Sequence, residues 1–264
     1  MFVRLSSATA ALVLLASVIA TPLPSREHIA VRDETEKASA GIVPIWGENG
    51  PQPQDVKQTS IGDCWIDATM VAIAGVSSKW MEAIFYGQQN RYASQCVVEL
   101  TGPQGHNWFT TVNYEDVNSK TLNGGDASLA GEYWWPGAIE VAMLQAPNLN
   151  RTIEGGWPNV ALQMLTGVEA VMETDPARWW GIISNCDRSP IVVSTGENVK
   201  TLVGAHAYAV TAWGKSEDGI LYVELHNPWG ITRRYVYDDI IDDLIGAYHL
   251  VNFDYWVDDE TARK

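Results

Sequence analysis

Basic residues are scarce in this chain. Lys and Arg total 17 of 264 residues against 32 Asp and Glu, a formal net charge of -15. A polyanion partner calls for the opposite balance, so the composition argues against nucleic acid. The acidity reads as a well-solvated surface rather than a tail with a dedicated partner. Long apolar runs are missing too. After the first 20 residues no stretch reaches 18 consecutive apolar positions, which argues against a membrane span. There is no internal repeat and no D-x-[DN]-x-[DN]-G calcium loop. Cysteine is sparse, at three: Cys64, Cys96 and Cys186. In an oxidising compartment an odd count leaves one thiol over, and counting alone allows three pairings.

What is present fits a globular protein. The chain is 46% hydrophobic and 19% charged, enough to build a core. Its start reads as a secretory signal over residues 1–20. Arg4 gives the positive end, A-A-L-V-L-L-A-S-V-I-A gives the apolar run, and Val18-Ile19-Ala20 closes it with small residues. Residues 21–45 are polar and patternless and read as a propeptide or disordered arm, with Arg32 as a processing point. Asn150-Arg151-Thr152 is an N-x-[ST] sequon, so Asn150 is the expected glycosylation site of a secreted chain.

The organisation changes along the chain. C-W-I-D-A-T-M-V-A-I-A-G after Asp63 predicts a buried helix stopping at Gly75, and a second helix is expected around Ser78–Phe85. Q-C-V-V-E-L and N-W-F-T-T-V predict a hairpin. G-E-Y-W-W-P-G-A-I-E-V-A-M-L-Q reads as a helix after a loop, G-G-W-P-N-V-A-L-Q-M-L-T-G as a turn and then a short helix ending at Gly167, and a further helix is expected to open at Asp175-Pro176. From I-V-V-S-T-G onward the pattern is β-rich. This gives an α+β fold in two lobes, a helical one over 46–168 and a β-rich one over 169–258, with a tail at 259–264.

Q-T-S-I-G-D-C-W-I-D-A-T-M puts Cys64 in the first turn of a helix, where the macrodipole favours a thiolate. A buried structural thiol is the competing reading. The base is sought among five histidines. His206 and His226 fall in two strand-like runs flanking W-G-K-S-E-D-G-I. If Trp213 opposes Ile220 across that turn, His206 opposes Asn227. Alternation then places Tyr208, Val210, Ala212, Leu221, Val223 and Leu225 on their face, and His226, Glu224 and Tyr222 on the other. An Asn oxygen can orient an imidazole without adding charge. Gln58, six residues before Cys64, offers an amide donor to an oxyanion beside the cysteine's own backbone N–H.

These residues resemble a known family. Q-T-S-I-G-D-C-W resembles the active-site cysteine motif of the calpain family of cysteine proteases. G-A-H-A-Y-A-V-T resembles its histidine motif and H-N-P-W-G its asparagine motif. The likeness covers roughly Gln58 to Trp256 and follows the papain-like order Cys, His, Asn. It implies a papain-like, calpain-like two-lobed fold. It implies Cys64 as nucleophile, His206 as general base and acid, and Asn227 as orienter. Gln58 and the Cys64 backbone would form the oxyanion hole, and Trp229 would shield the His–Asn bond. With Cys64 kept free, the resemblance also implies a Cys96–Cys186 disulfide between the lobes.

Two positions depart from the family: Ala205 stands where Gly is usual, and Asp67 where an apolar residue is usual. Asp67 reads as a cleft-lining or helix-satisfying group, although a carboxylate there disfavours a thiolate. Calcium is allowed by analogy with the family but has no support in the sequence. The expected activity is that of a secreted endopeptidase acting on proteins or peptides through a thioester. The alternatives are a catalytically silent binding module on the same fold, or a cysteine-dependent amidase or transamidase.

Overall fold

The computed structural model describes residues 43–118 and 133–252. The expected signal segment, most of the arm with Arg32, and the tail lie outside them. The last residues of the expected arm do not behave as an arm: Val43–Pro44 forms a short strand (β1), and Ile45 is wholly buried.

The first half is built around the helix α1, Cys64–Val76. Ten consecutive residues, Trp65 to Ala74, are buried, so this helix is enclosed on all sides. It ends where Ser77 turns extended and its N–H closes onto Ile73 O. Helix α2 (Ser78–Ala83), strand β2 (Tyr92–Ala93, paired with β1) and a hairpin of β3 (Gln95–Thr101) and β4 (Asn107–Asn113) follow. The short helix α3 is Tyr114–Asn118. Helices α4 (Trp135–Gln145) and α5 (Pro158–Thr166) complete this half. Gly167 caps α5 at φ 71°, a left-handed conformation that glycine adopts without a Cβ clash.

The second half holds β5 (Ala170–Glu173), α6 (Pro176–Ile183), β6 (Val192–Thr195), β7 (Ala207–Lys215), β8 (Leu221–Asn227), β9 (Ile231–Val236), α7 (Tyr237–Ile240) and β10 (Leu244–Leu250). The carboxylate of Asp175 caps α6 by accepting from Ala177 N–H at 3.0 Å. The strands make one antiparallel sheet in the order β5-β10-β6-β7-β8-β9. The α+β architecture expected from the sequence is the one found.

Two buried clusters support these halves. The first surrounds α1, α4 and α5 and also takes in Val192, Ala207, Ala209, Tyr248 and Leu250 from the large sheet. The second lies between the sheet's other face and α6, around Trp179, Tyr208, Val210, Val223 and Leu225. Helix α1 packs directly on β7. This contact brings the sequence-distant Cys64 and His206 to one edge.

Two expectations fail. The expected Cys96–Cys186 disulfide is absent; all three cysteines are free. Cys96 is buried in the first cluster and Cys186 in the second, each enclosed by its own core. The β7–β8 register also differs. Trp213 opposes Val223, not Ile220, because residues Ser216–Ile220 form the loop, and Ser216 N–H donates to Ile220 O. The ladder then slips between Val210 and Ala212, leaving Thr211 as a bulge. The bulge switches the alternation, so Trp213 rather than Ala212 shares a face with Val223. His226 opposes Ala209, and Asn227 opposes Ile231 on β9.

Candidate active site

Cys64 opens α1, and His206 lies one residue before β7. Both line a cleft of about 230 Å3 together with Trp65, Trp157, Thr195, Glu197 and Ile245. Trp157 is 52% exposed at its wall. The backbone N–H of Ala207 hydrogen-bonds the Cys64 sulfur, so the residue after the histidine holds the thiol.

His206 is buried and tied down on every side. Its N–H donates to Thr195 Oγ1 at 3.0 Å, and Thr195 N–H donates to His206 O at 2.9 Å. Its ring Nε2 lies 2.9 Å from Asn227 Oδ1. That same oxygen accepts from Trp229 N–H at 3.0 Å. A backbone N–H needs an acceptor, which fixes the Asn227 amide with its oxygen toward the histidine. His206 Nε2 must then carry the proton, and Nδ1 keeps its lone pair. The Trp229 ring covers the pair, 4.8 Å from the imidazole and tilted by 36°. The imidazole meets Tyr208 edge-on at 5.1 Å. Cys64, His206, Asn227 and Trp229, named from the sequence, are thus brought together. The His–Asn pairing survives the wrong register because both residues sit at strand ends, where the chains leave the ladder.

Gln58 is placed differently. Its backbone N–H donates to Pro228 O at 2.8 Å, anchoring the loop beside Asn227. Its amide nitrogen donates to Ile61 O at 2.8 Å and to Asp63 Oδ1 at 3.3 Å, both within its own loop. Asn150 is exposed in a left-handed conformation, φ 50°.

Electrostatics oppose a resting thiolate. Burial pushes the Cys64 thiol up, and the Asp67 and Asp63 charges add to that, against the Ala207 hydrogen bond. Burial holds His206 below its usual value, partly offset by the Asn227 bond. The dipole expected to favour a thiolate is outweighed by desolvation and carboxylates.

Sequence reasoning missed several contributors. Asp63 is buried at the start of α1, and burial pushes its carboxyl up to about 6. Asp63, Asp67 and Glu140 are all buried and each offer a carboxylate oxygen within 4.8 Å of the others. Glu140 comes from α4, a juxtaposition that no local pattern encodes. Calcium takes roughly six to eight oxygen ligands, and three carboxylates do not make such a site by themselves. Ala205, whose N–H donates to Gly196 O at 2.8 Å, sits at φ 50° where a Cβ is strained. Thr195 carried no sequence signal beyond its strand.

Among the described residues, no helix is long and apolar enough to cross a membrane. A search of curated proteins gives no match. A comparison with protein families matches residues 40–236, well over half of the chain, to the calpain family cysteine protease. The match spans Cys64, His206 and Asn227, and by it the chain belongs to the calpain family of cysteine proteases.

Proposed function

We propose that this protein is a secreted cysteine endopeptidase whose triad is Cys64, His206 and Asn227. The observation that carries the reading is the His206–Asn227 pair, 2.9 Å apart under Trp229, with His206 and Cys64 on one cleft. His206 Nδ1, whose lone pair is left free by the Nε2–H···Asn227 bond, takes the thiol proton as Cys64 attacks the peptide carbonyl. Asn227 holds Nε2–H and keeps the imidazolium oriented. The proton then passes to the leaving amine, giving a thioester that water hydrolyses. The oxyanion is met by the backbone N–H of Cys64 at the start of α1, while the N–H groups of Ile66 and Asp67 are already taken by Asp63 O. Gln58 adds a donor by turning its amide away from Asp63, the longer of its two contacts. Secretion rests on the signal-like first 20 residues, and protein substrates on the family.

A thiol-directed epoxide tests this. Stoichiometric labelling at Cys64, lost in Cys64→Ala and weakened in His206→Ala, with cleavage of a peptide library, supports the endopeptidase. No labelling between pH 5 and 8 points instead to a silent binding module.

A further inference from the structure

One buried imidazole has no part in the chemistry above. His226 is 7% exposed and sits on β8 immediately before Asn227. Its Nδ1 lies 2.8 Å from Thr232 Oγ1 on β9. These two residues are direct partners in the ladder, and the next rung is Asn227 opposite Ile231. The hydrogen bond therefore closes the rung next to Asn227, where β8 ends. The other ring nitrogen, Nε2, is buried and has no hydrogen-bond partner among the described residues. Buried polar atoms of this kind are few in folded proteins and call for a physical reason.

The neutral ring tolerates this arrangement because it has one N–H and one lone pair to place. A protonated ring does not. Both nitrogens then donate, and Nε2–H becomes a charged donor with no acceptor. The surroundings offer no compensating charge. The residue facing His226 on β7 is Ala209. On the same face, Glu224 and Arg234 are committed to each other at 2.6 Å. No charged group acts on His226, and burial alone lowers its basicity.

We propose that His226 is a positioning residue and an internal proton gate for the site. Neutral, it bonds Thr232 and fixes the end of β8, so that Asn227 Oδ1 stays aimed at His206. When it takes a proton from solvent, the ring must leave its pocket to find an acceptor. The rung opens and the His206–Asn227 bond is released. This rests on the catalytic reading of that pair, and it adds a second protonation on the acid side of the activity profile.

Two measurements test it, one with turnover and one without. In the pH dependence of kcat/KM, the wild type should lose activity on acidification with a slope of two protons. His226→Gln can still bond Thr232 but cannot titrate, and its acid limb should fall with a slope of one. Thr232→Val should lower kcat about tenfold or more with KM little changed, and Thr232→Ser should restore the wild-type profile. Superimposable profiles for wild type and His226→Gln would overturn the proposal. So would a Thr232→Val protein that loses only thermal stability. Imidazole resonances followed by NMR need no catalysis: the His206 signal should respond to two protonations in the wild type and to one in His226→Gln. A single response in the wild type sinks the gate even in an active enzyme. Two responses in a protein that cleaves nothing sustain the gate and sink the peptidase reading instead.

Discussion

Trp229 holds Asn227 by its backbone and covers His206 with its ring: the Trp229 N–H donates to Asn227 Oδ1 at 3.0 Å, and the two rings lie 4.8 Å apart. One residue therefore fixes the amide and shields the bond it makes. The backbone part survives substitution and the ring part does not. Trp229→Ala should lower kcat/KM about tenfold while leaving the fold intact, and Trp229→Phe should recover most of that. Steady-state kinetics beside circular dichroism check it. A full effect on stability with none on kcat would contradict the shielding role.

Asn227→Ala removes the acceptor of His206 Nε2–H. A bond that becomes charge-assisted as the imidazolium forms is worth about 1.5–3 kcal/mol, or roughly 10- to 100-fold in rate. Labelling of Cys64 by the epoxide should slow by a similar factor. Asn227→Asp should instead raise the His206 basicity, because it adds a negative charge at the same place, and move the acid limb to higher pH.

Native alkylation should distinguish the three thiols. Cys96 and Cys186 are buried and pushed up to about 12, chiefly by burial. Only thiolates react well, so one equivalent of reagent should enter the folded protein, at Cys64, and three after unfolding in denaturant without reductant. A count of one after unfolding would show that Cys96 and Cys186 are linked after all.

Ala205→Gly should stabilise the protein. The φ of 50° costs an L-residue about 1–2 kcal/mol, more than the roughly 0.4–1 kcal/mol of extra chain entropy that glycine brings to the unfolded state. The net gain of about 0.5–1 kcal/mol should appear as a rise of a few degrees in Tm by calorimetry. An unchanged or lower Tm would mean that the methyl contacts in the cleft offset the strain.

Asp63 should make stability depend on pH in an unusual direction for a carboxylate. Its folded value is raised from 3.8 to about 6, so the native state binds the proton more tightly than the unfolded chain. The resulting stabilisation is complete below about 3.8 and is lost as pH rises through about 6. Comparing denaturant midpoints of wild type and Asp63→Asn isolates this effect from the histidines, whose lowered values act in the opposite sense. The wild type should lose ground to the variant between pH 4 and 7, and parallel curves would contradict the raised value.

Much of this site could be read in advance, for identifiable reasons. The α1 start at Cys64 was legible because a small-residue turn meets a long apolar run, a purely local signal. The His206–Asn227 pairing was legible because the chemistry of a thiol asks for it. The register that seemed to justify the pairing was not, since the bulge at Thr211 costs no distinctive residue and the loop at Ser216–Ile220 could close in more than one way. Glu140 beside Asp63 and Asp67 was invisible because it depends on how α4 packs on α1. The disulfide expectation failed for a related reason. Pairing arithmetic knows nothing of which core encloses each thiol.

The sharing of the first core has a mechanical consequence. Ala207, Ala209, Tyr248 and Leu250 belong to the β-rich half, yet they are buried with α1. Swinging the halves apart would expose those side chains to water and pull the Ala207 N–H from the Cys64 sulfur. The cleft is thus a slot cut in one block rather than a jaw between two. Its walls are brought together by the same packing of α1 on β7 that builds the first core.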